Sequence, residues 1–203
     1  MSTSPLSPTV QQGALRIQLP GELTARTIYF QFNPETMTRR LVPQLSGGGQ
    51  NDHSTQVNYG NAPLYTISIE ILLDATDQLN KKNKVAQEYG VFPQLALLET
   101  TLLYPSATAV QQVTSSLNDG VMEVAPYTAP IVQLVWGDNR SIPVRVTQYA
   151  AVEELFAPNL APIRARVSLE LQAVTWSDVD PSNENYSLFQ AYQQALENLA
   201  KMV

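Results

Sequence analysis

From Ile163 to Trp176 the chain alternates without a break. Ile163, Ala165, Val167, Leu169, Leu171 and Ala173 share one face, and Arg164, Arg166, Ser168, Glu170 and Gln172 share the other. Period two over this length is the signature of a strand with one dry face and one wet face. Such a strand fits the wall of a sandwich or barrel. Leu64 to Asp74 (LYTISIEILLD) repeats the pattern, with Tyr65, Ile67, Ile69 and Ile71 opposite Thr66, Ser68 and Glu70. Ala14–Leu19, Thr27–Asn33, Thr38–Leu45, Ile131–Trp136, Ile142–Gln148 and Ala151–Phe156 read as further strands. Turn residues separate them: Pro20-Gly21, Asn33-Pro34, Gly137-Asp138-Asn139 and Ala157-Pro158-Asn159. The predicted fold class is mainly β (α+β).

Two segments depart from period two. Val91, Leu95, Leu98 and Leu102 recur at helical spacing, with Pro93 in the first turn and Pro105 beyond the end. The last segment, Tyr186 to Val203, carries Phe189, Tyr192, Leu196, Leu199 and Val203 as a narrow apolar stripe. These five form a candidate interface with another subunit or partner, and a cap on the chain's own core explains the stripe equally well. A short helix near Val110 to Leu117 is also expected. The partition is a flexible arm over 1–13, a β domain over 14–177, and a linker with an amphipathic helix over 178–203.

The chemistry is sparse. The chain has 203 residues, one histidine and no cysteine. Disulfides, thiol nucleophiles and cysteine-based metal sites are excluded. His53 sits in a Gly/Asn/Asp/Ser-rich loop and reads as an exposed loop residue. Glu70, Glu153, Glu154 and Glu170 lie on strands, where Arg145, Arg164 and Arg166 are natural cross-strand partners. No catalytic, cofactor or metal residue is assigned, no cofactor is expected, and the chain reads as not an enzyme. The formal net charge is -6 and the one short basic run is Lys81, Lys82 and Lys84, so nucleic acid is not an expected partner. The N-terminal MSTSPLSPTVQQG does not read as a signal peptide. No apolar stretch approaches bilayer length, so direct membrane insertion is not expected. The expected protein is soluble and made in the cytoplasm.

Three segments in order carry a resemblance. Phe30-Gln31-Phe32-Asn33-Pro34 resembles the F-x-F-N-P opening of the tube-initiating, baseplate-hub proteins of contractile injection systems. Val132 to Gly137 (VQLVWG) is similar to their F-x-W-G strand. Leu155 to Ser168 (LFAPNLAPIRARVS) resembles their F-x-P-x-G-x-P-x-R-A-x-V segment, with Asn159-Leu160-Ala161 in place of the usual Asp-Gly turn. The likeness spans about Leu15 to Val174. Many members continue into a glycan-contacting LysM module. Here the helix follows instead, so glycan binding is not carried over.

The resemblance implies a tail-tube-like fold of two packed antiparallel sheets, forming a sandwich or barrel with a flanking helix. It implies a structural adaptor within a contractile injection particle. Copies of the chain would form a homohexameric ring joining the inner tube protein to the spike and hub, beside other baseplate components, and would initiate the tube. In such a ring Arg164, Arg166 and Glu170 are candidate lumen-facing residues. The inner-tube subunit of the same machine is one alternative. A β-sandwich glycan-binding module, with Tyr59, Tyr65, Tyr127 and Tyr149 as candidate aromatics, is an alternative of a different class.

Overall fold

The period-two runs become long neighbouring strands. A computed structural model describes residues 11–19, 24–46, 58–103, 110–111 and 130–203. Its strands are β1 (Ala14–Gln18), β2 (Arg26–Tyr29), β3 (Met37–Ser46), β4 (Asn58–Asp74), β5 (Ile131–Val135), β6 (Ser141–Phe156) and β7 (Pro162–Ala173). They run antiparallel in the order β2-β1-β5-β6-β7-β4-β3. The chain is thus mainly β and α+β, as the alternation predicts. The resemblance implies two packed sheets, whereas the described strands share one continuous hydrogen-bonded sheet. That sheet curls on itself. Gln31, just past the margin strand β2, hydrogen-bonds to the backbone of Asp74 at the end of β4, beside the opposite margin. Curling brings two stretches of one sheet to face each other across a core, which is how a single sheet supplies both walls.

That core is one cluster. Leu15 and Ile17 of β1, Ile67, Ile69 and Ile71 of β4, Leu134 of β5, Ile142 and Val144 of β6, and Val167, Leu169 and Leu171 of β7 are all buried in it. Each such side chain stabilises the fold by about 1.5–3 kcal/mol on leaving water. The wet face of β4 pairs with the wet face of β7: Ser68 lies opposite Glu170, Glu70 opposite Ser168, and Asp74 opposite Arg164.

Four helices complete the described elements: α1 (Thr76–Asn80), α2 (Lys84–Tyr89), α3 (Phe92–Leu102) and α4 (Glu184–Ala200). Val91, Leu95, Leu98 and Leu102 are buried, as their spacing predicts, and Pro93 falls in the first turn of α3. The Asn83 side chain caps α2 by accepting from the backbone of Val85 and Ala86. Gly90 breaks the path between α2 and α3, with φ 59° and ψ -129°. Ile142–Gln148 and Ala151–Phe156, read separately in the sequence, are one strand, β6, with a register shift between Val146 and Gln148. The expected helix at 110–117 lies outside the described residues except for Val110 and Gln111. His53, Tyr127, the loop beyond Ser46 and residues 1–10 of the expected arm lie outside them altogether.

The polar stretch before α4 is ordered by its own side chains. Asp178 accepts from the Thr175 N–H at 2.8 Å and the Thr175 hydroxyl at 2.6 Å, and pairs with Arg145 at 3.2 Å. Asp180 accepts from Ser182, and Asn183 caps α4 through the Asn185 N–H.

Candidate assembly surfaces

The three sequence segments meet structurally at two junctions. The first is the seam. Phe30 is buried and its ring lies 6.4 Å from that of Trp136, tilted by 49°. Gly13 runs beneath both, and a Cβ there would stand 2.8 Å from each ring. The Phe30 N–H donates to Gly13 O at 2.8 Å. Asn33 then accepts from the Gly13 N–H and donates to Gln11 O, both at 2.8 Å. Gln31 closes the curl through two hydrogen bonds: its amide donates to Asp74 O at 2.6 Å and accepts from the Asp74 N–H at 2.9 Å. The Asp74 carboxylate accepts from the Thr76 N–H at 2.7 Å and from Arg164, whose guanidinium reaches it at 2.6 Å. Burial works against this charge, but the Thr76 and Arg164 donors outweigh it and hold the carboxyl below its ordinary value.

The second junction is the β6–β7 turn. Leu155 and Leu160 both take positive φ, 56° and 64°. Between them Asn159 donates to Gln87 O at 3.3 Å and Glu88 O at 3.0 Å, fixing the turn to the end of α2. The turn exposes Leu155, Phe156 and Leu160.

Three features face outward. The polar wall of β4 and β7 carries Arg166 between Glu154 at 3.2 Å and Glu70 at 3.7 Å. Arg164, by contrast, is turned to Asp74, and Glu170 is half-buried opposite Ser68. An open cleft of about 750 Å³ runs beside this wall, between Phe32, Glu35, Glu70 and Arg166. Next are the margins. Among the described residues β3 has β4 on one side and no strand on the other, and β6 beyond Val144 pairs only with β7. Third is a ribbon. β4 pairs with β7 only from Thr66 onward, so β3 and β4 continue as two strands from Leu41–Tyr65 to Ser46–Asn58. At about 3.3 Å per residue along β3 it extends about 17 Å. Leu41, Val42, Leu45 and Leu64 are exposed on it.

The C-terminal stripe divides. Tyr192 is buried in the chain's own core at 4% exposure and Phe189 packs half-buried against it. Leu196, Leu199 and Val203 are exposed. Among the described residues no cluster of three metal-ligating side chains occurs, and no helix is long and apolar enough to cross a membrane.

The family model of contractile injection system tube proteins matches residues 18–179. The chain belongs to that family. Strands β2 to β7 lie within the span shared with other tube proteins, and α4 lies outside it. Two solved structures are similar to this tube protein. The tail of an empty gene transfer agent particle, computed with helical refinement in C6 symmetry, is 12% identical, with 79% of this chain and 90% of that one covered and a TM-score of 0.33. The virion of the native gene transfer agent particle is 13% identical with the same coverage and a TM-score of 0.30. No curated protein matches the chain.

Sequence reasoning places Gln31, Asp74 and Asn159 only as motif, strand-end and turn positions, and passes over Gly13 and Gly90. Gly13, Gln31 and Asn159 stand inside or beside the recognisable segments. Their roles depend on partners far along the chain, so only the motif positions of Gln31 and Asn159 mark them.

Proposed function

We propose that this tube-family protein is a ring-forming adaptor, joining the inner tube to the spike and hub of a contractile injection particle and initiating tube growth. The observation that carries this reading is the four-stranded wall β6-β7-β4-β3, polar on its outer face, with no further strand beside β3 and none beside β6 beyond Val144 among the described residues. Unpaired margins are templates for another strand. A closed ring of identical copies satisfies them without leaving an edge. Arg39 and Arg40 on the β3 margin and Glu153 and Glu154 on the β6 margin carry opposite charges, which suits copy-to-copy contact. The wet face, with Arg166, Glu70 and Glu170, then lines the lumen. Helix α4, outside the family span, supports the adaptor role through its exposed Leu196 and Leu199, with Val203 exposed just beyond its end.

The family description, tube protein, favours a second reading in which the chain is the repeating inner-tube subunit. Gene deletion and copy counting separate the two. For an adaptor, deletion stops tube and sheath polymerisation while free spike complexes remain, and quantitative mass spectrometry of intact particles finds a single ring's worth of the chain. Intact tubes in the deletion strain refute the adaptor. A copy number that scales with tube length assigns the chain to the tube itself.

A further inference from the structure

We propose that α4 is a brace for the β3–β4 ribbon, with Tyr192 fixing the angle at which the ribbon leaves the sheet. Tyr65 is the β4 residue just before pairing with β7 begins at Thr66, and Leu41 is its partner across the ribbon. The hinge therefore lies at Tyr65. The Tyr192 hydroxyl sits 3.3 Å from the Tyr65 hydroxyl, and Arg39, two residues inward along β3, interacts electrostatically with both phenols. Tyr192 is the one fully buried side chain of α4, so the helix, which otherwise packs along β6, reaches the ribbon root through this residue. The other end of the helix is also tied down, because Asp178 fastens the preceding turn to Thr175 and Arg145. An element anchored at the β6–β7 end and at the ribbon root triangulates the two. The ribbon needs this support. It has no third strand among the described residues, and register shifts flank Gln44. Two-stranded ribbons are marginal alone in water.

The test compares the full-length chain with Tyr192→Phe and Tyr192→Ala by hydrogen exchange. Tyr192→Phe keeps the ring and removes the latch. Amides of residues 41–46 and 58–64 are expected to exchange about 3- to 10-fold faster, the loss of one hydrogen bond between neutral groups. Amides of Ile67–Leu73 and Val167–Leu171 stay as they are. The chain has no cysteine, so spin labels at Gln44→Cys and Ser168→Cys report the ribbon angle directly. The distance distribution is expected to be narrow with Tyr192 and broad with Tyr192→Phe. An unchanged distribution, or a uniform acceleration of all strands in Tyr192→Phe, overturns the brace and makes Tyr192 an ordinary core residue.

Discussion

Gly90→Ala is expected to destabilise the folded chain by about 2–6 kcal/mol, the combined range for a strained backbone and an overfilled contact. Two independent causes act at this residue. Its φ of 59° with ψ of -129° is a conformation that side chains with a Cβ avoid. A Cβ would also stand 1.9 Å from Pro162 O and 2.8 Å from Pro162 C. Pro162 cannot simply retreat, because its carbonyl accepts the Val91 N–H at 2.8 Å and the turn before it is held by Asn159. Relief requires lifting α2 and α3 off the start of β7, which exposes Ala86, Val91 and Leu95. Against a total stability of about 5–15 kcal/mol, this is a large fraction. Gly137→Ala is the control. It has a similar φ of 67° but meets only the Gln11 side chain at 3.3 Å, so it costs about 1–2 kcal/mol. Urea unfolding of both variants checks the contrast. Equal midpoints for Gly90→Ala and the parent would contradict it.

Replacing residues 43–63 by Asn-Gly is expected to abolish assembly while leaving the fold intact. Val42 and Leu64 are register partners, and Asn-Gly is the preferred two-residue link between paired strands. The shortened hairpin keeps the β3–β4 pairs from Met37 to Val42 and all β4–β7 pairs. Of the side chains described between 43 and 63, only Ala62 is buried. Loss of Ala62 is thus the one core change among the described residues, and the monomer is expected to lose about 0.5–3 kcal/mol and to stay folded. If the ribbon spans neighbouring copies, particles from a strain carrying this variant lack tubes. Normal tubes would show that the ribbon is dispensable, and a strongly destabilised monomer would assign it to the core.

The parts of the fold legible in the sequence are those with a simple period. β4 beyond Leu64, β7 and the buried face of α3 follow directly from alternation or helical spacing. β6 reads as two pieces because its register shift between Val146 and Gln148 flips the phase of the alternation. The first part of β4 is missed because Asn58, Gly60, Asn61 and Pro63 are turn formers, and only pairing with β3 makes them a strand. Gly90 hides inside a helical spacing that continues on both sides of it. The curl of the sheet depends on Gln31 meeting Asp74, and neither residue has a local pattern that predicts a contact 43 positions away. In the candidate surfaces, the wet face of β7 is legible residue by residue. The division of the C-terminal stripe is not, since Tyr192 and Leu196 obey the same helical spacing and only the packed structure buries one and exposes the other.

The most direct test of the ring is a cryo-EM reconstruction of the assembled particle with this chain located in it. One closed hexameric ring is expected on the tube axis, at the junction with the spike, with the β3 margin of each copy beside the β6 margin of the next and Arg166 facing the lumen. A chain found off the axis, or as separate monomers whose margins meet no other copy, would contradict it.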